Sequence, residues 1–211
     1  MKDFAPSPEV KGIPVVLFAS RMLWTKGVRE FVDAARRLQA NGVRARFVLV
    51  GEPDGGNPMA IPTDELKAWA QSGAVEWLGR RNDMPTVFAQ SHIVCLPTSY
   101  GEGVPKVLIE AAACGRPIVA TDVPGCRELV CDGKNGLLIP VHDVDALAAA
   151  LNELIQDASL RQRMGSRGRE IAEAEFSLAK VTAETLSVYQ ELLAHNQKRK
   201  LLGSAPKCPS R

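Results

Sequence analysis

The sequence lacks features that would place it in several other functional classes. Its net charge is only +2 over 211 residues, whereas nucleic-acid-binding domains usually carry a strong basic face, so no nucleic-acid partner is expected. It shows no signal peptide, and no apolar run approaches the roughly 20 residues of a membrane span. The first predicted strand is not followed by a GxGxxG cradle, which counts against a dinucleotide-dependent enzyme.

Cysteines are few and do not form a metal-binding pattern. Among the five, Cys126 and Cys131 have four intervening residues, which differs from the CxxC spacing of zinc and redox sites. Cys95 ends an apolar run and Cys114 lies in an alanine-rich stretch, both typical of buried free thiols. Free thiols fit a reducing cytoplasm, so we predict a cytoplasmic protein. Because no DxD-like clamp is present either, we expect no required metal.

Short apolar runs alternate with helical patterns along the chain. Hydrophobic residues make up 45% of the sequence, which is enough for a chain of this length to bury a useful core. Runs that predict strands lie at residues 13–19, 45–50, 75–78, 93–96, 118–120 and 136–139. Patterns that predict helices lie at 27–40, 63–71, 84–90, 104–114, 144–155, 160–173 and 178–193. This alternation predicts a doubly wound, mainly parallel, Rossmann-like α/β sheet with helices on both faces.

The two ends of the chain differ in composition from the rest. Residues 1–12 are polar and rich in proline, which is typical of a linker, and residues 196–211 have the composition of a flexible tail. We therefore predict one Rossmann-like domain over residues 13–195. In such a sheet the ligand lies at the carboxyl ends of the strands, near the point where the strand order reverses.

Two cations follow the first predicted strand. Arg21 and Lys26 lie in the loop at residues 19–27, where a helix is predicted to begin. A helix N-terminus favours anions through its free N–H groups and its dipole. A guanidinium and an ammonium group strengthen such a site. The loop therefore predicts a diphosphate clamp, although two solvated surface cations would give the same pattern.

A glycine-rich turn leads into the helix predicted at residues 104–114. Glu102 lies in this turn, Pro105 lies near the first helical turn, and Glu110 follows Glu102 by eight positions. At 100° per residue that separation is about two turns, which would bring both carboxylates to one cleft. Glu110 lies in an otherwise apolar helix, where a carboxylate needs hydrogen-bond donors such as a ribose diol. A surface carboxylate and a partner of the helix dipole explain the pair equally well.

Taken together, these stretches resemble a known family. The string EGVPKVLIEAAACGRPIVATDVPGCRELV at residues 102–130 is similar to the E-x7-E signature of the retaining family 4 glycosyltransferases, whose GT-B fold has two Rossmann-like domains. ASRMLWTKG resembles the loop after the first strand in that family. LVGEPDGG, WLGRRNDMPTVFAQSHIVCLPTS and DGKNGLLIPVHDVDALAAAL follow in the family's order. The resemblance covers about residues 1–193 and is greatest to the capsule and O-antigen enzymes.

The resemblance implies a role for each matching position. Positive groups would hold the donor diphosphate, one carboxylate would contact the transferred sugar, and backbone N–H groups would face the phosphates. The predicted catalytic residues are Arg21, Lys26 and Glu102. The predicted donor-binding residues are Ser20, Gly51, Arg81, Gly103, Val104, Pro105, Lys106 and Glu110. In that set Glu110 would bind the ribose. Arg81 belongs with Arg80 and Asn82 to the loop that would hold the edge of the nucleotide base. Pro105 has no backbone N–H to donate.

The resemblance also implies partners and a location. The donor would be a UDP-sugar, with a GDP-sugar as the next choice, and the anomeric configuration would be retained. A GT-B enzyme has an N-terminal acceptor domain, so we expect this chain to bind a nucleotide sugar without transferring the sugar alone. A glycan or lipid-linked acceptor would place the full enzyme at the inner face of the cell membrane. There Lys198, Arg199 and Lys200 would offer a peripheral contact.

Two other functions stay open at the level of sequence. One is a Rossmann-type oxidoreductase or epimerase, against which the missing GxGxxG counts. The other is a non-catalytic module that binds a sugar nucleotide and serves as a sensor or an assembly partner. Titration with UDP and NAD separates the first of these from a glycosyltransferase.

Overall fold

The computed structural model describes the backbone of residues 4–203 and the side chains of residues 4–193 and 195. The chain divides into two units, the first ending at Glu173 and the second beginning at Ala174. Within the described part of the chain, no helix combines the length and the apolar character needed to cross a bilayer.

The first unit contains a six-stranded parallel sheet. The strands are β1 (Val15–Ala19), β2 (Arg46–Val50), β3 (Glu76–Trp77), β4 (Ile93–Leu96), β5 (Ile118–Thr121) and β6 (Gly136–Ile139), in the order β3-β2-β1-β4-β5-β6. All pairings between these strands are parallel. The chain builds outward from β1 in one direction and then from β4 in the other, which is the arrangement of a doubly wound sheet. The predicted fold class is therefore confirmed.

The central strands are recognisable in the sequence because both of their faces are buried. All four residues of β4 and of β5 are buried, and so are the last four residues of β1. A parallel strand covered by helices on both sides has a nearly continuous apolar sequence, rich in the branched residues that fit a pleated surface. The sequence therefore locates the strands to within two residues.

Helices connect the strands, and two more follow the last strand. They are α1 (Val28–Ala40), α2 (Thr63–Gln71), α3 (Met84–Ala89), α4 (Lys106–Ala113), α5 (Pro124–Arg127), α6 (Val144–Gln156) and α7 (Ala158–Glu175), with a 3-10 turn at Trp24–Lys26 before α1. The 3-10 turn and α5 are absent from the prediction because so short a segment shows no helical periodicity. The predicted start of α4 at residue 104 is wrong. Pro105 is extended, and a residue that precedes proline is disfavoured in a helix, so α4 begins at Lys106.

The second unit contains one long helix, α8 (Leu178–Gly203). The predicted end of this helix at residue 193 is wrong, because no glycine or proline interrupts the sequence before Gly203 and the helix continues to that residue. Residues 204–211 of the predicted tail lie outside the described residues. The side chains of Lys198, Arg199 and Lys200 do as well.

Basic side chains hold the N-terminal segment at residues 4–12 against the rest of the first unit. The segment contains no helix or strand in its described residues. Arg161 forms a bidentate pair with Glu9, at 2.9 and 2.8 Å. Arg116 donates hydrogen bonds to the carbonyl and the hydroxyl of Ser7, at 3.1 and 2.8 Å. The segment that the sequence presents as a linker is therefore fixed to the domain at several points.

His92 binds this segment through one ring nitrogen and β1 through the other. Its Nδ1 accepts a hydrogen bond from the backbone N–H of Val15 at 3.0 Å. The proton of the neutral ring is therefore on Nε2, which donates to the carbonyl oxygen of Val10 at 2.8 Å. Burial lowers the pKa of His92, because the charged ring would lose hydration there.

We expect the free energy of unfolding to decrease as the pH falls below about 6.5, the ordinary pKa of an exposed histidine. The folded-state pKa of His92 is lowered, so the unfolded chain takes up a proton first and acid favours unfolding. Urea denaturation from about pH 7.5 to about pH 5.5 measures the loss. His92→Gln keeps one acceptor and one donor without titrating, and it should flatten the profile. An unchanged profile would assign the pH dependence to other groups.

Candidate functional site

Two adjoining cavities lie at the carboxyl edge of the sheet, where the strand order reverses. The large cavity, of about 420 Å³, is lined by Ala19, Ser20, Arg21, Val50, Gly51, Glu52, Pro53, Asp54, Arg80, Arg81, Met84, Val107 and Glu110. The small cavity, of about 210 Å³, is lined by Ala19, Ser20, Arg21, Lys26, Leu96, Glu102, Pro105, Lys106 and Val107. Because the end of β1 and Val107 contribute to both, the cavities meet there.

The N-terminus of α4 points at this junction. Lys106 and Val107, the first two residues of α4, line the small cavity. The first N–H groups of a helix have no acceptor within the helix, and no described side chain caps α4. Together with the helix dipole, these groups make the junction suited to an anion.

Lys26 and Glu102 form an ion pair in the small cavity. The exposed fraction of the Lys26 side chain is 11%, and that of Glu102 is 30%. The sequence predicts that both residues contact one ligand, whereas the structure shows that they contact each other. A carboxylate has a second oxygen and an ammonium has three hydrogens, so both groups keep capacity for a ligand.

Arg21 lies at the junction and pairs with Asp54, its Nη1 atom 2.7 Å from the Oδ2 atom of Asp54. The Arg21 side chain is 60% exposed, so this pair contributes little to stability and leaves the guanidinium accessible. Asp54 is absent from the predicted site. It follows β2 as Arg21 follows β1, and the rule that polar residues gather at the carboxyl ends of neighbouring strands would have found it.

Glu110 lies on the wall of the large cavity, separate from Glu102. Its Oε1 atom is 3.2 Å from the Nζ atom of Lys106, one turn earlier on α4. The argument from helical spacing that placed Glu102 and Glu110 in one cleft is wrong, because α4 begins only at Lys106 and Glu102 lies in the preceding loop. The two carboxylates instead line adjoining cavities.

Two arginines border the large cavity on the side of β3. Arg81 forms a bidentate pair with Asp83, at 2.8 and 2.6 Å. This hydrogen bonding raises the pKa of Arg81 and lowers the pKa of Asp83. Arg80 lines the same cavity and makes no ion pair in the part of the chain that the structure describes. It is therefore the more available of the two cations.

Most of the predicted site residues line these cavities. Those that do are Ser20, Arg21, Lys26, Gly51, Arg81, Glu102, Pro105, Lys106 and Glu110, whereas Gly103 and Val104 line neither. Gly103 instead packs against α5, because a Cβ atom at Gly125 would lie 2.5 Å from the carbonyl oxygen of Gly103.

Burial raises the pKa of the Cys126 thiol on α5 to about 11, so this thiol near Lys26 and Glu102 is uncharged at neutral pH.

The two cavities lie where the strand order reverses, and cations and an uncapped helix N-terminus border the junction between them. These features are typical of a Rossmann-like domain suited to a phosphorylated ligand. The sequence profile described as glycosyl transferases group 1 matches residues 2–171. The chain therefore belongs to the glycosyl transferases group 1 family.

Similar proteins are consistent with this assignment. An N,N'-diacetylbacillosaminyl-diphospho-undecaprenol alpha-1,3-N-acetylgalactosaminyltransferase from Campylobacter jejuni is 36% identical over 75% of this chain and 40% of its own length. Sucrose-phosphate synthase from Thermosynechococcus elongatus has a similar structure, with a TM-score of 0.80, 26% identity, and coverage of 92% of this chain and 51% of that one. Anabaena HepE in complex with UDP matches with a TM-score of 0.72 and 29% identity, over 83% of this chain and 49% of that one. The chain thus spans about half the length of these relatives.

Proposed function

We propose that this domain binds the nucleotide-sugar donor of a retaining hexosyltransferase of glycosyltransferase family 4. The observation that carries the proposal is the pair of adjoining cavities, with Arg21 at their junction, Glu110 in the large cavity and Glu102 in the small one. Two relatives support the chemistry. HepE was crystallised with UDP, and the name of the Campylobacter protein specifies N-acetylgalactosamine transfer and a diphospho-undecaprenol-linked sugar. The product is accordingly a surface polysaccharide or a lipid-linked glycan.

In this proposal the donor extends across both cavities. The diphosphate lies at the junction, where Arg21 and the N-terminus of α4 favour an anion. The nucleoside occupies the large cavity, whose 420 Å³ falls in the range of small-molecule sites. There Glu110 accepts hydrogen bonds from the ribose hydroxyls. The transferred sugar occupies the small cavity, where the second oxygen of Glu102 accepts from its hydroxyls.

Lys26 stabilises the leaving group. When the bond from the sugar to the diphosphate breaks, negative charge develops on the diphosphate. An ammonium group that is already fixed beside Glu102 stabilises this charge without reorganising, and such preorganised electrostatics contribute several kcal/mol in enzymes. Glu102 is a positioning residue for Lys26 as well as a ligand of the sugar. Because Arg21 and Lys26 supply the positive charge, the proposed reaction needs no metal.

A second domain supplies the acceptor site. The chain spans about half the length of its relatives, which fits one of the two Rossmann-like domains of a GT-B enzyme. Residues 13–195 then bind the donor, and residues 1–12 lead from an N-terminal acceptor domain. The chain alone binds the nucleotide sugar but does not transfer the sugar. The full enzyme acts in the cytoplasm, at the inner membrane face when its acceptor is lipid-linked.

Calorimetric titration with UDP, GDP and NAD tests the proposal. UDP is expected to bind, GDP more weakly, and NAD not measurably at the same concentrations. A preference for NAD would instead support an oxidoreductase or epimerase, and failure of all three to bind would remove the donor role. Incubating the full-length protein with UDP-sugars and a lipid-linked acceptor separates a transferase from a non-catalytic module, which would bind UDP and form no product.

Glu110→Gln is expected to weaken UDP binding by about 1–3 kcal/mol, because a carboxylate accepts stronger hydrogen bonds from a ribose diol than an amide does. Affinity for inorganic pyrophosphate, which lacks the ribose, should stay unchanged. Lys106, the partner of Glu110, is 87% exposed, so losing their pair should barely affect stability. A lower melting temperature with unchanged UDP affinity would make Glu110 a structural residue.

A further inference from the structure

A third cavity, of about 550 Å³, lies between the N-terminal segment and the start of α7. Gly115 and Arg116, which precede β5, are part of its lining, so it is at the amino edge of the sheet, opposite the two cavities described above. The polar residues in its lining are Ser7, Glu9, Arg116, Ser159, Gln162, Ser166 and Arg169. Glu9, the one acidic residue among those lining it, is already held by Arg161. The lining is therefore rich in hydrogen-bond donors.

Arg116 is a buried cation that contacts no carboxylate among the side chains that the structure describes. Only 2% of its surface is exposed. Its Nε atom donates to the carbonyl of Phe88 at 3.0 Å, and its Nη2 atom donates to Ser7 and to the carbonyl of Ala89. Its Nη1 atom has no hydrogen-bond partner within residues 4–193. Burial lowers the pKa of Arg116, and the charge of Glu9 opposes this shift.

The N-terminus of α7 adds backbone donors to the same cavity. Asp157 caps this helix, because its Oδ1 atom accepts from the N–H of Leu160 at 2.8 Å. The N–H groups of Ala158 and Ser159, two residues that line the cavity, have no acceptor in the described part of the chain. Beside the Asp157 cap, these two N–H groups can still donate to an anion. They belong to residues that line one cavity with Arg116.

We propose that this cavity binds a phosphate group, either as inorganic phosphate or as the end of a phosphate ester. Phosphate oxygens accept hydrogen bonds in every direction, which matches a lining of hydroxyl, amide, guanidinium and backbone N–H donors. A phosphate bound here contacts the N-terminal segment through Ser7 and α7 through Ser159. It therefore strengthens the hold of the domain on that segment. The site is independent of the proposed nucleotide-sugar site.

Thermal unfolding of the full chain in sodium phosphate tests the proposal, with sodium chloride at the same ionic strength as the reference. Phosphate can also reach the junction beside Arg21, so the comparison is repeated in saturating UDP and in Arg21→Ala. Phosphate also stabilises proteins in general by its exclusion from their surface, an effect that grows with concentration without saturating. We therefore expect, in all three cases, a rise in Tm above the chloride value that saturates with phosphate concentration, as binding to a site requires. A rise that does not saturate, a Tm equal to that in chloride, or a rise that disappears with UDP or in Arg21→Ala would overturn the proposal.

Ser159→Asp places a carboxylate in the cavity and should not destabilise the fold. Ser159 is exposed in the first turn of α7, where an acidic residue is favourable to a helix. The substitution is expected to raise the dissociation constant for phosphate at least about tenfold. Thr63→Asp makes a similar change in the first turn of α2, at an exposed residue, and should leave phosphate binding unchanged. Equal affinity in Ser159→Asp and the wild type would refute the site.

Glycerol 3-phosphate distinguishes the two sources of the phosphate group. If it binds as tightly as inorganic phosphate and loses affinity in Ser159→Asp, the cavity accepts an ester. If inorganic phosphate alone binds, the cavity accepts the free ion. Both results support the site, whereas binding of either compound that is insensitive to Ser159→Asp contradicts it. Because UDP affinity is measured separately, failure here leaves the proposed donor function untouched.

Discussion

Lys26→Met is expected to weaken UDP binding by about 10- to 100-fold, or about 1.4–2.8 kcal/mol. The side chain of Lys26 is 11% exposed and lies in the small cavity beside Glu102. In the proposed complex its charge acts on the diphosphate where water is largely excluded, and charge-assisted hydrogen bonds are strongest in such places. Methionine has a similar length and no charge, so it removes the ammonium without leaving a large void. Calorimetric titration with UDP measures the change.

The same substitution also deprives Glu102 of its partner, and this effect must be separated from the loss of a ligand. The double variant Lys26→Met, Glu102→Gln removes both charges, so it should regain most of the stability lost in Lys26→Met. It should not regain UDP affinity. Lys67→Met removes an exposed lysine that pairs with Asp64 and should leave UDP affinity unchanged. Recovery of affinity in the double variant would make Lys26 only a structural partner of Glu102.

The part of the fold that could be predicted from the sequence is the part in which burial dictates residue type. A parallel strand covered on both faces must be apolar throughout, and β4 and β5 meet that condition at every position. Polar residues directly after such strands need another reason to be there. That is why the sequence places Arg21 and Lys26, after β1, at the carboxyl edge of the sheet, where the structure has them lining a cavity.

Contacts between distant segments could not be predicted in the same way. Lys26 and Glu102 are separated by 76 positions, and nothing local in either loop specifies that they neutralise each other. Arginine is usually a surface residue, yet Arg116 and Arg161 are both buried, at 2% and 5% exposure. Carbonyl groups accept from both of them. Every residue has a backbone carbonyl group, so the sequence does not show which carbonyl groups accept these hydrogen bonds.

The close approach of the loops after β1 and β4 also depends on tertiary contacts. The N–H of Ser99 donates to the carbonyl of Thr25 at 2.9 Å, which joins the two loops that carry Lys26 and Glu102. Gly27 makes this approach possible. A Cβ atom at Gly27 would lie only 2.0 Å from the carbonyl oxygen of Pro97, which is backbone and has little freedom to move.

Gly27→Ala is therefore expected to lower the free energy of unfolding by more than about 4 kcal/mol, or to prevent folding altogether. Gly42→Ala is the matched control. Gly42 has a φ of +75°, against +78° for Gly27, but a Cβ atom there would meet nothing within 4 Å. Alanine in the left-handed conformation at Gly42 should lower the free energy of unfolding by about 1–2 kcal/mol. Urea denaturation measures the loss in each variant.

Because the two glycines have nearly the same positive φ, the difference between the two losses reports mainly the contact with Pro97. Equal losses would show that the loop after β1 can withdraw from β4 at little cost, and the ion pair of Lys26 with Glu102 would then not be rigidly held. A large difference would mean that the ammonium is fixed in place by backbone packing before any ligand arrives. Preorganised stabilisation of a leaving diphosphate requires that condition.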